Sequence, residues 1–262
     1  LENIICMDIN RDNLENTENG ACNRVLNAMK DENKNKPMLR NTLMVWGNAS
    51  YNMENGNAAN DDLNKYYLDV LYGNVEQSLV ENSKLQRMYG LLKDNRFDVI
   101  SCQFSIHYFF ENKVKLNGFF ENISSNLNVG GKFIGTTLNG QKVFDALKTS
   151  EIMVGETYDS ILWKIKKKYE DEEFRNDETS IGMPIDVYIN SIGKTTTEWL
   201  VNFKYLEELA MNYNLELKTL GEFEDMYKKL ESSKTNYGDA SSMTPQLKEL
   251  SYLYNYFIFE KI

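Results

Sequence analysis

Four short apolar runs constrain this chain more than any other feature. "NIICMDI" (residues 3–9), "TLMVWGNAS" (42–50), "RFDVISCQF" (96–104) and "GKFIGTT" (131–137) are each long enough for a strand, and each ends in polar residues or a turn. Stretches with helical spacing separate them. Residues 14–30 put Leu14, Ala21, Val25 and Met29 on one side. Residues 51–96 hold one or two polar helices, with "YYLDVLYG" as the buried face. Residues 112–131 turn Val114, Leu116, Phe119, Phe120, Ile123 and Leu127 inward and close with a turn at 128–131. "QKVFDALK" makes a short helix after the fourth run. Apolar strands alternating with helices predict an α/β fold, a mostly parallel sheet covered on both faces. Ligands of such sheets bind beyond the carboxyl ends of the strands. Asp8, Asn48, residues 103–107 and residues 136–139 are therefore expected to line one crevice.

The pattern changes after residue 150. "ILWKIKKKY" (161–169) alternates apolar and basic residues, and "IGMPIDVYINSIG" (181–193) sets Ile185, Val187 and Ile189 against Asp186, Tyr188 and Asn190. Alternation at period two predicts antiparallel strands with one wet face. Residues 196–214 begin extended and become a helix, "LELKTL" (215–220) is a further strand, and the tail 250–262 ends in another. The weakest connections are the polar stretches 53–62 and 232–244. The whole of 1–262 reads as one domain, with an antiparallel insertion at about 151–200.

Composition excludes several functions. The net charge of −10 argues against gripping long nucleic acid by counterion release alone, but leaves room for a local basic pocket. The four lysines of "WKIKKKYE" (163–170) read first as a solvated strand face. One histidine and three scattered cysteines (Cys6, Cys22, Cys102) offer no metal-ligand spacing, so no metal site is expected, and a reducing compartment is the simplest setting. No apolar run reaches about 18 residues and no secretion signal opens the chain, so neither a membrane span nor export is expected. Gly130-Gly131 stands between a helix and a strand, the wrong order for a phosphate loop. No G-x-G-x-x-G supports a dehydrogenase.

Individual residues suggest a nucleotide-like ligand. A carboxylate at a strand end, such as Asp8, can accept both hydroxyls of a ribose; it can equally cap a helix. Gln103 offers amide groups to an adenine edge. His107 has no nucleophile motif near it, which argues against a hydrolase triad. Beside Tyr108 it could hold a planar ligand by hydrogen bonding and stacking.

"FDVISCQFSIHYFFE" (97–111), "LNVGGKFIGTTLNGQKVFDAL" (127–147), "TEWLVNFKYLEELAMNYNLEL" (197–217) and "YLYNYFIFEK" (252–261) follow one another in an order that resembles the mRNA cap guanine-N7 methyltransferases. The insertion and tail are most similar to the methyltransferase portion of capping enzymes from large DNA viruses. The resemblance implies a Rossmann-like class I S-adenosylmethionine-dependent methyltransferase fold, a mixed, mostly parallel sheet with an antiparallel insertion. In that family a first strand, a glycine-rich loop and a basic residue for the cap phosphates precede the point where this chain begins. The chain is thus expected to be amino-terminally incomplete, and its truncated edge could pair two copies.

The resemblance also assigns roles. Asp8 would hold the ribose of S-adenosyl-L-methionine. Asn48 and Ala49 stand where the family has an Asp-Ser pair beside the adenine. Gln103 and Phe104 would close the other side of the cofactor. His107, Tyr108, Glu198 and Tyr254 would grip the cap guanine, with no residue serving as acid or base. Independently of the resemblance, a carboxylate at Glu198 suits guanine, whose ring N–H and exocyclic amine are two donors on one edge. The implied partners are the capped 5′ end of mRNA (GpppN) and triphosphatase and guanylyltransferase domains, in the cytoplasm, at a viral factory or in a virion. The alternatives are an inactive methyltransferase-like binding subunit and a methyltransferase with another acceptor.

Overall fold

The computed structural model describes residues 3–30, 41–232 and 238–262. The chain divides into two compact units, residues 1–96 and 97–262.

In the first unit β1 (Asn3–Asp8) is followed by α1 (Arg11–Glu15) and α2 (Ala21–Lys30), and β2 (Asn41–Trp46) lies parallel to β1 with Asp8 opposite Trp46. The single helix expected over 14–30 is two. Asn16 ends α1, and its side-chain oxygen accepts from the backbone N–H of Glu18 and of Asn19, a local turn that competes with the helical ladder. The side chain of Met29 lies outside the described residues. Then come α3 (Asp62–Tyr72), α4 (Ser83–Met88) and α5 (Leu91–Asp94). The expected "YYLDVLYG" face is buried through Leu68, Val70, Leu71 and Tyr72. Asn64 of α3 accepts from the N–H of Trp46 at 2.8 Å, fixing this helix to the end of β2.

The second unit begins with β3 (Phe97–Gln103) and a 3-10 turn, Ile106–Glu111. It continues through α6 (Lys113–Asn126), β4 (Leu127–Leu138) and α7 (Gly140–Ala146). Strands β5 (Ile152–Glu156), β6 (Ile161–Lys167), β7 (Pro184–Ile189) and β8 (Lys194–Trp199) follow. Last are α8 (Phe203–Met211), β9 (Leu215–Glu222), α9 (Phe223–Ser232), α10 (Pro245–Tyr252) and β10 (Tyr254–Lys261). Within the connection expected at 232–244, residues 233–237 lie outside the described residues. One sheet has the order β3-β4-β10-β9; β3 and β4 are parallel, and β10 is antiparallel to both its neighbours. The fold is thus α/β with a mixed sheet. The other sheet, β5-β6-β7-β8, is antiparallel throughout and spans the expected insertion.

Three details differ from the expected pattern. Val114 is 77 % exposed, because it lies about 200° around α6 from Leu116 and so faces away from the buried stripe. β3 is not buried throughout: it pairs only with β4 among the described residues, and only Cys102 is buried. Residues 128–131 do not simply separate helix from strand. β4 begins at Leu127, and its register with β3 jumps between Phe97 and Val99, with Gly130 at φ +79 inside the irregular stretch.

Two aromatic clusters hold this unit. Phe119 and Phe120 of α6 meet Phe133 of β4 edge-on, and Phe133 meets Phe257 and Phe259 of β10. Behind the antiparallel sheet, Trp163, Ile165, Ile185 and Val187 pack with Phe144, Tyr169, Phe174 and Leu250. Trp163 is fully buried, yet its indole N–H donates to the Gln246 carbonyl at 2.7 Å, so the polar handle is satisfied.

Candidate functional site

The end of β3 is where the regular sheet gives way. Phe104 takes φ +51, a left-handed conformation that a bulky residue adopts only under constraint. Thr136 on the adjoining β4 supplies the constraint: its carbonyl and hydroxyl oxygens both accept from the N–H of Phe104, and its hydroxyl donates to Gln103 at 3.0 Å. The Phe104 ring thereby stays half exposed, edge-on to Tyr254 at 5.3 Å and to Phe223 at 6.2 Å. The chain then enters the 3-10 turn, which buries His107 and leaves Tyr108 exposed.

Main-chain ties bring the other residues to this turn. Gly182 N–H donates to the Phe110 carbonyl, and Leu200 N–H donates to the Met183 carbonyl, which anchors the β7–β8 hairpin beside the turn. Asn139 N–H donates to the Leu253 carbonyl at the end of β4, and this places Tyr254 at the start of β10. The outcome is a compact group. The Nδ1 atom of His107 stands 3.6 Å from a carboxylate oxygen of Glu198, and its ring lies 4.2 Å from that of Tyr108. Glu198 and His107 are both buried, with 8 % and 5 % of their surface exposed.

A separation of 3.6 Å is too long for a hydrogen bond, and neither ring nitrogen of His107 has a hydrogen-bond partner among the described residues. Buried polar atoms without partners are rare and call for a reason. Burial pushes His107 down to about 3 and Glu198 up to about 7, the rise at Glu198 being restrained by the nearby Thr196 hydroxyl, which also lies 3.5 Å from the Val187 carbonyl. Both groups therefore favour their neutral forms below neutral pH. The Tyr254 hydroxyl is also raised, first by burial and then by the charges of Glu198 and Tyr108. The four residues expected to grip one planar ligand are thus assembled from three separate elements around an unsatisfied polar centre.

Gln103 and Phe104 adjoin this group. Gln103 also lines a mostly apolar cavity of about 560 Å³ with Thr136, Phe223 and Tyr256, a cavity that His107 and Glu198 do not line. Asp8, Asn48 and Ala49 belong to the first unit, where they follow adjacent strand ends: the N–H of Gly47 donates to the Asp8 carbonyl at 3.0 Å. The Asp8 carboxylate accepts from Asn10 N–H at 2.8 Å and from the Asn13 amide at 3.1 Å, one bond per oxygen. A carboxylate has about four acceptor positions, so two remain for a diol. Asn48 uses its side-chain oxygen on Ser50 N–H, 2.9 Å away. Among the described residues no cluster of His, Cys, Asp and Glu could hold a metal ion, and no helix is long and apolar enough to cross a membrane.

Sequence reading passed over two residues at this site. Thr196 lies two positions before Glu198 on β8, hence on the same face, and the period of two was the available signal. Phe223, beside Phe104 and Tyr254, carries no local signal, because only the pairing of β9 with β10 brings it there.

A family model of the mRNA (guanine-N(7))-methyltransferase domain matches residues 51–262. The chain belongs to this family. The match takes in the His107–Glu198 group and crosses the boundary between the two units. Among curated relatives, the family member from Arabidopsis thaliana named mRNA cap guanine-N(7) methyltransferase 1 is 26 % identical over 185 residues, 65 % of this chain and 49 % of that protein. A probable mRNA-capping enzyme of Acanthamoeba polyphaga mimivirus is 31 % identical over 125 residues, 45 % of this chain and 10 % of that protein. The chain thus spans about half the length of the plant relative and a tenth of the viral one. Among solved structures, an S-adenosylmethionine-dependent methyltransferase from Clostridium acetobutylicum aligns over 99 % of this chain and 75 % of that one, at 11 % identity and a TM-score of 0.46.

Proposed function

We propose that this chain transfers a methyl group from S-adenosyl-L-methionine to N7 of the guanine that caps mRNA. The observation that carries the reading is the buried Glu198 carboxylate, with the unpartnered His107 3.6 Å away and Tyr108 and Tyr254 beside them. Ionised, Glu198 accepts both donors of the guanine edge in a bidentate pair. Adenine, with an acceptor in place of the ring donor, is rejected because a buried carboxylate oxygen would go unmatched. Tyr108 and Tyr254 offer flat faces to the base, and a free nitrogen of His107 can reach its polar rim.

Asp8 would hold the ribose of the cofactor through its two spare acceptor positions, with Asn48 and Ala49 beside the adenine and Gln103 and Phe104 on the other side. When bound, S-adenosylmethionine supplies a methyl group activated by a sulfonium leaving group. Guanine N7 carries a lone pair and no proton, so no side chain need act as a base. The residues contribute orientation, which is worth several powers of ten when the reacting atoms are held about 3–3.5 Å apart in line. Glu198 adds a field that favours the positive charge growing on the guanine.

On this reading residues 1–262 act as one methyltransferase domain, supported by a family match that crosses from one unit into the other. Capped mRNA is its substrate, and the viral relative suggests capping domains alongside. The test is transfer of labelled methyl from S-adenosylmethionine to GpppN-capped RNA and to ApppN-capped RNA. Labelling of the guanine cap alone, lost in Glu198→Gln, supports the assignment. Equal labelling of both caps contradicts it.

A further inference from the structure

The antiparallel sheet has a second face that the guanine site does not use. Residues alternating with the buried Trp163, Ile165, Ile185 and Val187 point away from the core. On β6 these are Lys164 and Lys166, followed just past the strand by Lys168. On β7 they are Asp186 and Tyr188, and on β8 they are Thr195 and Thr197. The register sets them in rows, Lys164 beside Tyr188 beside Thr195 and Lys166 beside Asp186 beside Thr197.

Although the chain is acidic overall, neither Lys164 nor Lys166 pairs with a carboxylate among the described residues. Asp186, the acid within the rows, is engaged: Lys168 stands 3.5 Å away and the Thr197 hydroxyl donates to it at 3.0 Å. Of the other acids near this face, Glu156 and Asp159 flank the β5–β6 turn, and Glu170, Asp171, Glu172 and Glu173 lie beyond the end of β6. A cavity of about 360 Å³ opens on this face, lined by Ser160, Ile161, Lys164, Tyr188, Asn190 and Thr195. The half-buried Tyr188 is steadied by a hydrogen bond from its hydroxyl to Asn190 at 3.1 Å. Tyr158, at the tip of the β5–β6 hairpin, is wholly exposed.

We infer that the outer face of β6–β8 binds single-stranded RNA, with the backbone along Lys164 and Lys166 and a base against Tyr188. Lysines two residues apart on a strand stand about 6.8 Å apart, a spacing comparable with that of successive phosphates in an extended strand. A tyrosine ring among them gives a base a stacking platform that tolerates any sequence. The Asn190 amide and the Thr195 hydroxyl add polar partners for the sugar edge. The inference rests on the proposed function for the source of the RNA, which is the transcript behind the cap. β8 is the edge strand of its sheet and carries Glu198 on the opposite face, so a strand leaving the guanine site reaches the lysines by rounding that edge.

The test titrates the full chain with uncapped, unstructured RNA over a series of salt concentrations, and separately with GpppG. Lys164→Ala/Lys166→Ala should lower the slope of log K against log salt by about 1.4, since each lost phosphate contact in a single strand contributes about 0.7. Tyr188→Ala should weaken RNA binding about tenfold, and Tyr188→Phe should restore it. GpppG affinity should stay the same in all three variants, and their unfolding midpoints should confirm that each is folded. Wild-type chain that does not bind uncapped RNA, or a salt slope unchanged in the double variant, overturns the inference. So does polyglutamate competing with RNA at equal charge, since that would mark a surface for acidic proteins. Failure of GpppG binding alone, with lysine-dependent RNA binding intact, would count against the guanine site and leave this face standing.

Discussion

Replacing Glu198 by glutamine should strengthen the fold and disable the pocket, two effects that a purely structural acid would not combine. Burial lifts Glu198 from 4.5 to about 7. Because the folded pKa is the higher, the stability this group contributes is fully present below the unfolded value and is lost as pH rises through the folded one. Integrating between these values, Glu198 costs the fold about 1 kcal/mol at pH 5 and about 3 kcal/mol at pH 8. Glutamine cannot ionise, so relative to wild type the variant should gain about 2 kcal/mol between pH 5 and pH 8. His107 titrates in both proteins, and its contribution largely cancels in that difference. Binding moves the other way. Glutamine offers one acceptor and one donor to an edge with two donors, which should cost about 3 kcal/mol, or roughly a hundredfold in GpppG affinity. Urea unfolding at the two pH values, with a GpppG titration at pH 8, measures both. A variant equally destabilised at both pH values, with GpppG affinity unchanged, would refute the reasoning.

The nearby Thr196 hydroxyl restrains the rise at Glu198, so Thr196→Val should move the pH of half-maximal GpppG binding upward and Thr196→Ser should return it; an unmoved profile counts against a positioning role. If Asp8 holds the cofactor ribose as proposed, Asp8→Ala should weaken S-adenosylhomocysteine binding at least about tenfold by calorimetry while leaving GpppG affinity unchanged. Gly155→Ala should destabilise the second unit by about 3 kcal/mol in urea unfolding, because its added carbon would lie 2.0 Å from the indole nitrogen of the buried Trp163.

Period and composition made much of this fold legible. The alternation of Ile185, Val187 and Ile189 with polar residues is the register of β7, and the buried stripe of α6 runs through Leu116, Phe119, Phe120 and Ile123 as its spacing requires. What stayed hidden depends on partners distant in sequence. β3 looks as apolar as a central strand, but its pairing with β4 alone among the described residues follows from which strands meet, and periodicity does not record that. Val114 is apolar like its neighbours, and only its angle around α6 exposes it. The split between α1 and α2 turns on one side chain, Asn16, choosing its own backbone over the helix. At the candidate site the individual residues could be named in advance, but not their state. That His107 lacks hydrogen-bond partners among the described residues, and that Glu198 is buried enough to titrate near neutrality, are products of packing among the 3-10 turn after β3, β8 and β10.

The most direct test of the proposed guanine pocket is a calorimetric titration of the chain with GpppG and with ATP, at pH 8 and with S-adenosylhomocysteine present. Glu198 is then ionised and ready to accept two donors, so GpppG should bind saturably and ATP should not. Binding of ATP as tight as that of GpppG would contradict a pocket built on Glu198.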